Sequence, residues 1–214
     1  MTLLDDTLCF PAVTQALQEP DGLLAFGGDL SPERLLSAYR QGIFPWYNEG
    51  EPILWWSPDP RTVLFPNQLK VSRSLGKSLR NKVIEISFNQ SFNAVIQACS
   101  EPRPGQNGTW INSAMIEAYA QLHKLGHAHS VEVWQQGQLI GGLYGIHIGQ
   151  VFFGESMFSR QSDASKIALV HLVRYFNQGE LELIDCQVGS AHLSRLGASV
   201  IPRSRFIQYL EQYC

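Results

Sequence analysis

Three consecutive segments that alternate apolar and polar residues constrain the fold of this chain more than any other feature. They cover residues 128–135, 139–147 and 151–158, and Gly137 and Gly149 lie in the two gaps between them. Alternation with a period of two indicates strands, and short gaps that contain glycine are typical of hairpin turns. The pattern therefore predicts an antiparallel meander.

The segments after the meander alternate between helix and strand. They predict a helix at about 163–177, a strand at 181–187 and short helices near 190–196 and 203–213. Strand, strand, helix, strand, helix is the order of the second half of an N-acyltransferase fold of the acetyltransferase type. We therefore expect an α/β (α+β) fold of this kind, although a fold does not by itself give a function.

One clear helix precedes residue 62. Ser31 suits its N-cap, Pro32 its first position and Gly42 its end, which predicts a helix from Pro32 to about Gln41. The aromatic segment that follows, with Phe44–Tyr47 and Trp55–Arg61, is rich in proline and predicts irregular structure held by side-chain packing.

Regular patterns resume after residue 61, where we expect a domain boundary. Residues 83–88 alternate like a strand, and Asn112 can cap a helix that ends at Gly126. The expected inner face of that helix carries Ile116, Tyr119, Leu122 and Leu125. We expect a small N-terminal domain over residues 1–61 and an acetyltransferase-like catalytic domain over residues 62–214.

Composition excludes several classes of protein. Hydrophobic residues make up 44% of the chain and charged residues 16%, which is enough apolar sequence to bury a core and argues against disorder. The longest apolar runs are too short to span a bilayer. Asp5 and Asp6 lie where a signal peptide would carry Lys or Arg, and the four cysteines form no C-x-x-C pair. We expect a cytoplasmic protein without a membrane partner.

Charge of one sign is concentrated in one stretch, although the net charge is −3. From Arg61 to Lys82 there is no acidic residue, and the basic residues are Arg61, Lys70, Arg73, Lys77, Arg80 and Lys82. A second cluster consists of Arg195, Arg203 and Arg205. The stretch is either a solvated face or a phosphate-binding patch, since phosphate contacts use Lys and Arg without requiring a basic protein.

Metal and coenzyme A chemistry both lack support in the sequence. His123, His127 and His129 are close together, but the helix stop at Gly126 separates them and no further ligand completes a tetrad, so we expect no metal. The segment between the meander and the next helix contains no glycine, and its Asp163 would repel the pyrophosphate of coenzyme A.

Three polar residues stand out on the last predicted strands. Glu155 has apolar neighbours, and Asp185 and Gln187 are two residues apart, which would place them on one face of a strand. Core strands rarely carry such groups without a partner or a task. They form either a satisfied structural hydrogen-bond network or a site that handles a proton or a cationic substrate.

Several motifs in one order resemble a known family. They are Phe44–Trp46, Trp55–Arg61, Gly108–Ile111, Gly154–Ser159 and Asp185–Gln187. Together they are similar to the leucyl/phenylalanyl-tRNA–protein transferases of bacteria, and the resemblance extends from about Gly22 to Ala198. It implies transfer of Leu or Phe, and less well Met, from aminoacyl-tRNA to proteins that begin with Arg or Lys, which marks those proteins for degradation.

The resemblance also implies that the enzyme needs no cofactor, because the aminoacyl ester is already activated, and we expect a monomer. A coenzyme A-dependent N-acyltransferase is the second interpretation, and it would bind acetyl-CoA saturably. A non-catalytic RNA-binding module is the third, and it would bind charged and uncharged tRNA equally well.

The same resemblance assigns roles to individual residues. Trp46 and Trp110 would hold the terminal adenosine between them. The apolar pocket for the transferred side chain would include Leu143, Phe152 and Met157. Asp185 and Gln187 match the proposed catalytic pair, and Glu155 would hold the acceptor side chain or the donor amine. The one-signed charge of the stretch from Arg61 to Lys82, and not the resemblance, is the reason to expect tRNA contacts at Arg73, Lys77, Arg80 and Lys82. The chain departs from some members at Leu143, where they carry Met, and at Ser190, where they carry Asn.

Overall fold

The strands of the computed structural model form two sheets, and the fold is mixed α/β as the sequence predicts. The structure describes residues 1–81, 83–102, 109–176 and 179–214. Lys82, expected to bind tRNA, and Gly108 of the third motif lie outside the described residues. Among the helices described, none has the length and apolar character to cross a membrane.

The first sheet is built from the N-terminal part of the chain. Its elements are β1 (Thr2–Leu4), β2 (Leu23–Gly27), α1 (Pro32–Arg40), β3 (Phe44–Pro45) and β4 (Leu54–Trp56). The strand order is β1-β2-β4-β3, with β1 parallel to β2 and the other neighbours antiparallel. The expectation of irregular structure for the aromatic segment is wrong in part, because Phe44 pairs with Trp56 across β3 and β4.

Helix α1 begins and ends where its local signals place it, which confirms the prediction. Ser31 Oγ accepts a hydrogen bond from the Arg34 N–H at 3.4 Å, and Gly42 follows the helix with a φ of +72°, where glycine is favoured. The buried face of α1 carries Tyr39, whose ring packs against Phe153 with centroids 5.1 Å apart. The helix therefore directs a tyrosine toward the second sheet.

The second sheet is built from residue 61 onward. Its elements are β5 (Arg61–Leu64), α2 (Arg73–Ser78), β6 (Ile84–Phe88), α3 (Phe92–Ser100), α4 (Ser113–Lys124), β7 (Ala128–Gln135), β8 (Gln138–Ile148), β9 (Val151–Ser159), α5 (Ala164–Tyr175), β10 (Leu183–Asp185), α6 (Ala191–Arg195), β11 (Ser199–Ile201) and α7 (Arg203–Tyr213). The strand order is β11-β5-β10-β9-β8-β7-β6. Strand β10 is parallel to β9, and the other neighbouring strands are antiparallel.

The predicted meander is confirmed as β7, β8 and β9, and α5, β10, α6 and α7 follow in the predicted order. Strand β10 is shorter than predicted, because it ends at Asp185. Helix α4 has the predicted cap, since Asn112 Oδ1 accepts the Met115 N–H at 3.0 Å. Leu125 does not belong to its inner face, because this residue is the C-cap and is 59% exposed.

A bulge interrupts the pairing of β8 with β9 at Glu155. Tyr144 pairs with Ser156 and Gly145 pairs with Gly154, so that Glu155 has no partner on β8. A Cβ on Gly145 would lie 2.2 Å from the Phe153 carbonyl oxygen, which only glycine avoids. Glycines inside a strand such as β8 are typical of a bulge or a close approach by a neighbouring group, and a bulge re-aims the side chain it carries.

Two apolar clusters cover the two faces of the second sheet. The larger one joins the sheets, since it contains Trp55 of β4 together with Tyr144 and Phe153 of β8 and β9. The smaller one packs α5 against the opposite face. We propose that residues 1–61 form a small N-terminal domain packed on residues 62–214, because the strands divide between the sheets at that point.

Candidate active site

A buried ion pair lies where β5 and β10 pair. Arg61 is the first residue of β5 and Asp185 the last of β10, and the two strands are antiparallel neighbours. Arg61 donates to both carboxylate oxygens of Asp185, from Nε at 2.8 Å and from Nη2 at 2.7 Å. Both side chains are 0% exposed. Since a planar guanidinium matches a carboxylate in this two-bond geometry, the pair holds one fixed orientation.

The surroundings of Arg61 satisfy the rest of its side chain. Its Nη1 donates to the Gly42 carbonyl oxygen at 3.1 Å, and its guanidinium lies over the rings of Phe44 and Phe206, 4.9 and 4.6 Å from the centroids. The expectation that Arg61 belongs to a phosphate-binding stretch is therefore wrong. Three of its five N–H donors are engaged and its side chain is 0% exposed, so Arg61 is not available to a phosphate at the surface.

Gln187 lies just beyond β10 in a left-handed conformation, with a φ of +54°. Its N–H donates to Asp185 Oδ1 at 3.0 Å, and its carbonyl oxygen accepts from the Thr62 N–H at 3.1 Å. The expectation that Asp185 and Gln187 share one face of a strand is wrong, because the strand ends between them. Left-handed backbone at a residue with a side chain costs about 1–3 kcal/mol and concentrates at functional sites.

Glu155 on the β9 bulge faces the buried ends of two tyrosines. Tyr39 of α1 donates to Oε1 at 2.8 Å and Tyr119 of α4 donates to Oε2 at 2.9 Å, and their two hydroxyls also contact each other. Gln187 Nε2 donates to Oε1 at 3.3 Å. The carboxylate on β9 thus links α1, α4 and the Gln187 turn.

Burial dominates the electrostatics of this group. It raises the pKa of Glu155 to about 7, with hydrogen bonds from Tyr39 and Tyr119 acting in the opposite direction. The nearby Asp185 raises that pKa further, and Arg61 lowers it. The pKa values of both tyrosines are well above their usual range because they are buried and lie beside Glu155. Both tyrosines therefore remain protonated donors at neutral pH.

The site lies where β9 and β10 stop pairing. Strand β10 pairs with β9 only over residues 151–153, and Gly154 and Glu155 follow directly. Glu155 faces the larger apolar cluster with the two tyrosines, whereas the pocket residues of the sequence analysis lie on the face covered by α5.

Leu143, Phe152 and Met157 lie together on that second face. Leu143 pairs with Met157 across β8 and β9, and the Phe152 ring lies under Gly145, where a Cβ would be 2.5 Å from it. Leu143 and Phe152 are buried, and Met157 is half-buried. The structure thus brings the three predicted pocket residues into one apolar layer.

The two tryptophans have different environments. Trp46 follows β3 and is 48% exposed, and its ring lies 5.5 Å from that of Trp56, which donates from Nε1 to the Trp46 carbonyl oxygen at 2.7 Å. Trp110 is half-buried against the larger apolar cluster, two residues before the cap of α4. An exposed tryptophan ring on a fixed backbone is available for stacking on a planar ligand.

Comparison with known proteins decides the family. Residues 28–59 match the model of the leucyl/phenylalanyl-tRNA protein transferase N-terminal domain, and residues 63–211 match the model of leucyl/phenylalanyl-tRNA protein transferase. A protein of that name from Nitrosomonas europaea is 62% identical over 211 residues, which cover 99% of this chain and 89% of that protein. The chain belongs to the leucyl/phenylalanyl-tRNA–protein transferase family. The resemblance stated from the motifs is thereby confirmed.

A leucyl/phenylalanyl-tRNA–protein transferase from Pseudomonas aeruginosa strain LESB58 is 59% identical over 204 residues, which cover 95% of this chain and 90% of that protein. Solved structures give weaker likenesses. A GCN5-related N-acetyltransferase from Kribbella flavida has a TM-score of 0.41 and 13% identity, covering 80% of this chain and 61% of that one. A conserved protein from Bacteroides thetaiotaomicron has a TM-score of 0.48 and 10% identity, covering 86% and 67%.

Three residues of the site were not predicted from the sequence to belong to it. They are Tyr39, Tyr119 and Arg61. The two tyrosines lie on amphipathic helices, where a buried aromatic residue is ordinary, so no local signal distinguishes them. Arg61 had a signal, because it ends the Trp55–Arg61 motif. An arginine inside a motif that also contains buried residues indicates a buried partner more than a solvent-facing contact.

The predicted phosphate contacts lie at some distance along the chain from this site. Arg73 and Lys77 on α2 and Arg80 just after it are exposed. Of the second basic cluster, Arg203 is held by the segment before β5, since its Nη1 donates to the Ser57 carbonyl oxygen and its backbone N–H donates to Asp59 Oδ1 at 2.9 Å.

Two clefts elsewhere contain none of the predicted site residues. One of about 360 Å³ lies between Tyr47 and α4, and one of about 320 Å³ lies beside His123. His123 stacks on Phe92, with centroids 4.3 Å apart, and hydrogen-bonds to the Ala128 carbonyl oxygen at 2.8 Å. Within the described ranges, no group of three or more His, Cys, Asp or Glu side chains is placed to hold a metal ion.

Proposed function

We propose that this chain transfers leucine or phenylalanine, and methionine less well, from aminoacyl-tRNA to the α-amine of proteins that begin with Arg or Lys. As a member of its family it is an aminoacyltransferase, with aminoacyl-tRNA as donor and a protein as acceptor. The finer proposal includes a monomer that acts in the cytoplasm and marks its acceptors for degradation. The observation that carries it is the Glu155–Gln187 contact at the end of β10, beside a fixed Asp185.

The proposed reaction needs no metal or nucleotide, because the aminoacyl ester is already activated. The enzyme must hold a neutral amine against an ester carbonyl and manage the proton that the amine loses. An α-amino group has a pKa near 8, so much of it is protonated at neutral pH. The polar groups of the site therefore have to select the neutral amine and direct its lone pair.

Asp185 acts by positioning. Its two oxygens accept three hydrogen bonds, two from Arg61 and one from the Gln187 backbone, and its side chain is fully buried. A carboxylate with these partners cannot reach a substrate amine. It fixes the turn that carries Gln187, through the backbone N–H and not through the Gln187 side chain.

Gln187 directs the amine in this proposal. Its Nε2 donates to Glu155, which leaves its Oε1 to accept a hydrogen bond from the attacking amine. A neutral amide holds a proton only weakly, so its task is orientation. Because its backbone is fixed at both the N–H and the carbonyl oxygen, the amide has little freedom to turn away.

The donor binds through its two ends. We propose that Trp46 and Trp110 hold the terminal adenosine, since stacking on an aromatic ring contributes ~1–3 kcal/mol per base. Leu143, Phe152 and Met157 receive the apolar side chain that is transferred. Leucine and phenylalanine fit such a layer because their transfer from water into apolar surroundings is favourable.

The acceptor stem of the tRNA is proposed to lie on the α2 basic patch, which consists of Arg73, Lys77 and Arg80. These residues are exposed and carry one sign of charge, as phosphate contacts require. Lys82 remains a proposed fourth contact from the same stretch. None of the hydrogen bonds described for Glu155 and Gln187 involves this patch, so we assign it to binding and not to the chemical step.

Coenzyme A-dependent acyl transfer is disfavoured by the start of α5. Ser159 Oγ already accepts the Ser165 N–H at 2.8 Å, and Asp163 accepts from Lys166 Nζ at 2.6 Å. The hydrogen bond from Lys166 holds the pKa of Asp163 below its usual range, so this carboxylate stays negative. With the Ser165 N–H already occupied and a carboxylate held at the helix start by Lys166, this end of α5 offers a pyrophosphate fewer free donors than an open helix N-terminus.

The test is transfer of labelled leucine from leucyl-tRNA to a peptide that begins with Arg. We expect label in peptides that begin with Arg or Lys and none in the same peptide with an acetylated N-terminus. Leucyl- and phenylalanyl-tRNA should serve better than methionyl-tRNA. Equal binding of charged and uncharged tRNA without transfer would instead indicate a non-catalytic RNA-binding module.

A further inference from the structure

The two carboxyl oxygens of Glu155 and the hydroxyl oxygens of Tyr39 and Tyr119 form a closed ring. Tyr39 contacts Oε1, Tyr119 contacts Oε2, and the two hydroxyls contact each other. Both tyrosines are fully buried, and they come from two different helices, α1 and α4. The contacts between these oxygens are hydrogen bonds. Each O···O contact therefore needs one proton between its two oxygens.

The number of protons in this ring depends on the state of Glu155. When the carboxylate is ionised, two tyrosine protons serve three contacts, so one contact lacks a proton. When Glu155 is protonated, three protons serve three contacts. Glu155 then donates to one tyrosine, that tyrosine donates to the other, and the second donates back to the free carboxyl oxygen. The ring closes in either direction without movement of a heavy atom.

We propose that Glu155 accepts the proton that the acceptor amine loses, and that Tyr39 and Tyr119 are positioning residues whose hydroxyls donate to the ionised carboxylate, fix its orientation and keep it able to release the proton again. This inference rests on the aminoacyl transfer proposed above. It makes Glu155 a catalytic residue with a proton-handling role. The structure points to Glu155 because Asp185 is fully buried and ion-paired with Arg61, whereas Glu155 is half-buried, and because the Gln187 amide is a poor base.

The proposed step balances without any further reagent. The amine nitrogen attacks the ester carbon, a C–N bond forms, and the carbonyl electron pair moves to oxygen. One N–H proton passes to Glu155. The C=O bond then forms again as the bond to the ribose 3′-oxygen breaks, and that oxygen takes the proton from Glu155. The products are the extended protein and tRNA with a free 3′-hydroxyl, and the carboxylate is regenerated.

Position supports this role. Glu155 is half-buried at the point where β9 leaves β10, and Gln187 Nε2 lies 3.3 Å from its Oε1. An amine that hydrogen-bonds to Gln187 Oε1 is thus one side chain away from the carboxylate. Burial supports it too, because it moves the pKa of Glu155 toward neutral pH, where a base works best.

The effect of each neighbouring group on Glu155 has a definite sign. The titratable and charged groups that face it are Tyr39 from α1, Tyr119 from α4, Tyr144 from β8, Asp185 from β10 and Arg61 from β5. The two ring hydroxyls donate to the carboxylate and lower its pKa. Replacing either tyrosine with Phe removes a donor to the charged form, so the proton affinity of Glu155 should rise.

The test is a titration of Glu155 in protein labelled with ¹³C at the glutamate side-chain carboxyls. Its resonance is assigned by its loss in Glu155→Gln. We expect Tyr119→Phe and Tyr39→Phe each to move the midpoint of this resonance to higher pH than in the wild type. Tyr144→Phe is the matched control, because its buried hydroxyl has no hydrogen-bond partner among the residues that the structure describes. Its midpoint should equal that of the wild type.

The rate of peptide-bond formation in a single turnover gives the second readout. The acidic limb of its pH profile, on which the rate rises as Glu155 loses its proton, should move to higher pH in Tyr119→Phe and stay in place in Tyr144→Phe. Two results would overturn the proposed roles of Glu155 and the tyrosines. One is a wild-type Glu155 that titrates in the ordinary carboxylate range, and the other is equal midpoints in Tyr119→Phe and Tyr144→Phe. Either result with intact leucine transfer leaves the proposed function standing, whereas wild-type protein without transfer would overturn the function itself.

Discussion

Removing Asp185 should destabilise the fold and disable the site by two separable routes. In Asp185→Ala the Arg61 guanidinium stays buried over Phe44 and Phe206 without its carboxylate. Breaking a buried pair by removing one partner costs about 3–5 kcal/mol. For a chain of 214 residues, where 1 kcal/mol moves Tm by about 2–4 °C, the expected loss is about 6–20 °C.

The second route is the freed Gln187 turn. Without the acceptor at Asp185 Oδ1, the Gln187 N–H loses its 3.0 Å hydrogen bond, and its left-handed backbone loses the contact that holds it. We expect kcat to fall by ~10²-fold or more, the usual scale for a lost proton-handling arrangement. Binding of an aminoacyl-adenosine analogue should change much less, because the tryptophans and the apolar layer are untouched.

A double variant separates the two routes. Arg61→Met with Asp185→Leu replaces the pair by apolar side chains, which is often neutral or stabilising for a buried ion pair. We expect it to recover most of the lost Tm in thermal unfolding but to keep the low kcat. If the double variant regained wild-type kcat together with its stability, Asp185 would act only on the fold and the positioning argument would be wrong. A Tm for Asp185→Ala within a degree or two of the wild type would refute the energetic argument.

Further predictions concern the other site groups. Gln187→Ala should lower kcat by ~10²-fold in single-turnover transfer, with analogue binding nearly unchanged. Trp46→Ala and Trp110→Ala should each weaken binding of the aminoacyl-adenosine analogue by about 5- to 150-fold, from ~1–3 kcal/mol of stacking. Trp46→Ala should leave Tm almost unchanged, since Trp46 is 48% exposed; a large fall in Tm with normal activity would make it a core residue. Alanine throughout the α2 basic patch should flatten the salt dependence of tRNA binding, and an unchanged slope would make the patch a solvated face. For Glu155, whose pKa is raised to about 7, folded protein binds more protons than unfolded protein between its ordinary pKa and about pH 7. The stability contribution of this group is therefore lost as pH rises through that window. Glu155→Gln should gain Tm relative to the wild type from pH 5 to pH 8, and a constant Tm difference would contradict the raised pKa.

Local signals in the sequence account for most of the secondary structure. Ser31 and Asn112 cap their helices, and the two glycine gaps separate the meander strands as predicted. The errors occur where the apolar or alternating pattern of the sequence continues beyond the end of the helix or strand. Leu125 continues the apolar spacing of α4 but is its C-cap, and Gln187 continues the alternation of β10 after that strand has ended.

The site itself could be predicted only in part. Motifs located Glu155, Asp185 and Gln187, but the partners that define their chemistry are remote in sequence. Tyr39 is 116 residues from Glu155, and Arg61 is 124 residues from Asp185. Such contacts are set by the packing of α1 and β5 against the second sheet. No periodicity or spacing within one element specifies them.

The bulge at Glu155 illustrates the same limit. Glycines in β8 indicate that a bulge or close approach is present, but not which residue of β9 is left unpaired. That residue is decided by the fit of Gly145 under Phe152 and Phe153. The chemistry of the site therefore depends on a one-residue register shift that the sequence does not display.

The most direct test of the account is the product formed by wild-type protein and Gln187→Ala in a single turnover. Each is chelated, desalted and mixed with leucyl-tRNA and an Arg-starting peptide, and the peptide is analysed by mass. The account predicts one leucine added to the peptide N-terminus by the wild type, with a rate ~10²-fold lower in Gln187→Ala. Folded wild-type protein that adds nothing, or that adds an acetyl group only when acetyl-CoA is supplied, would contradict it.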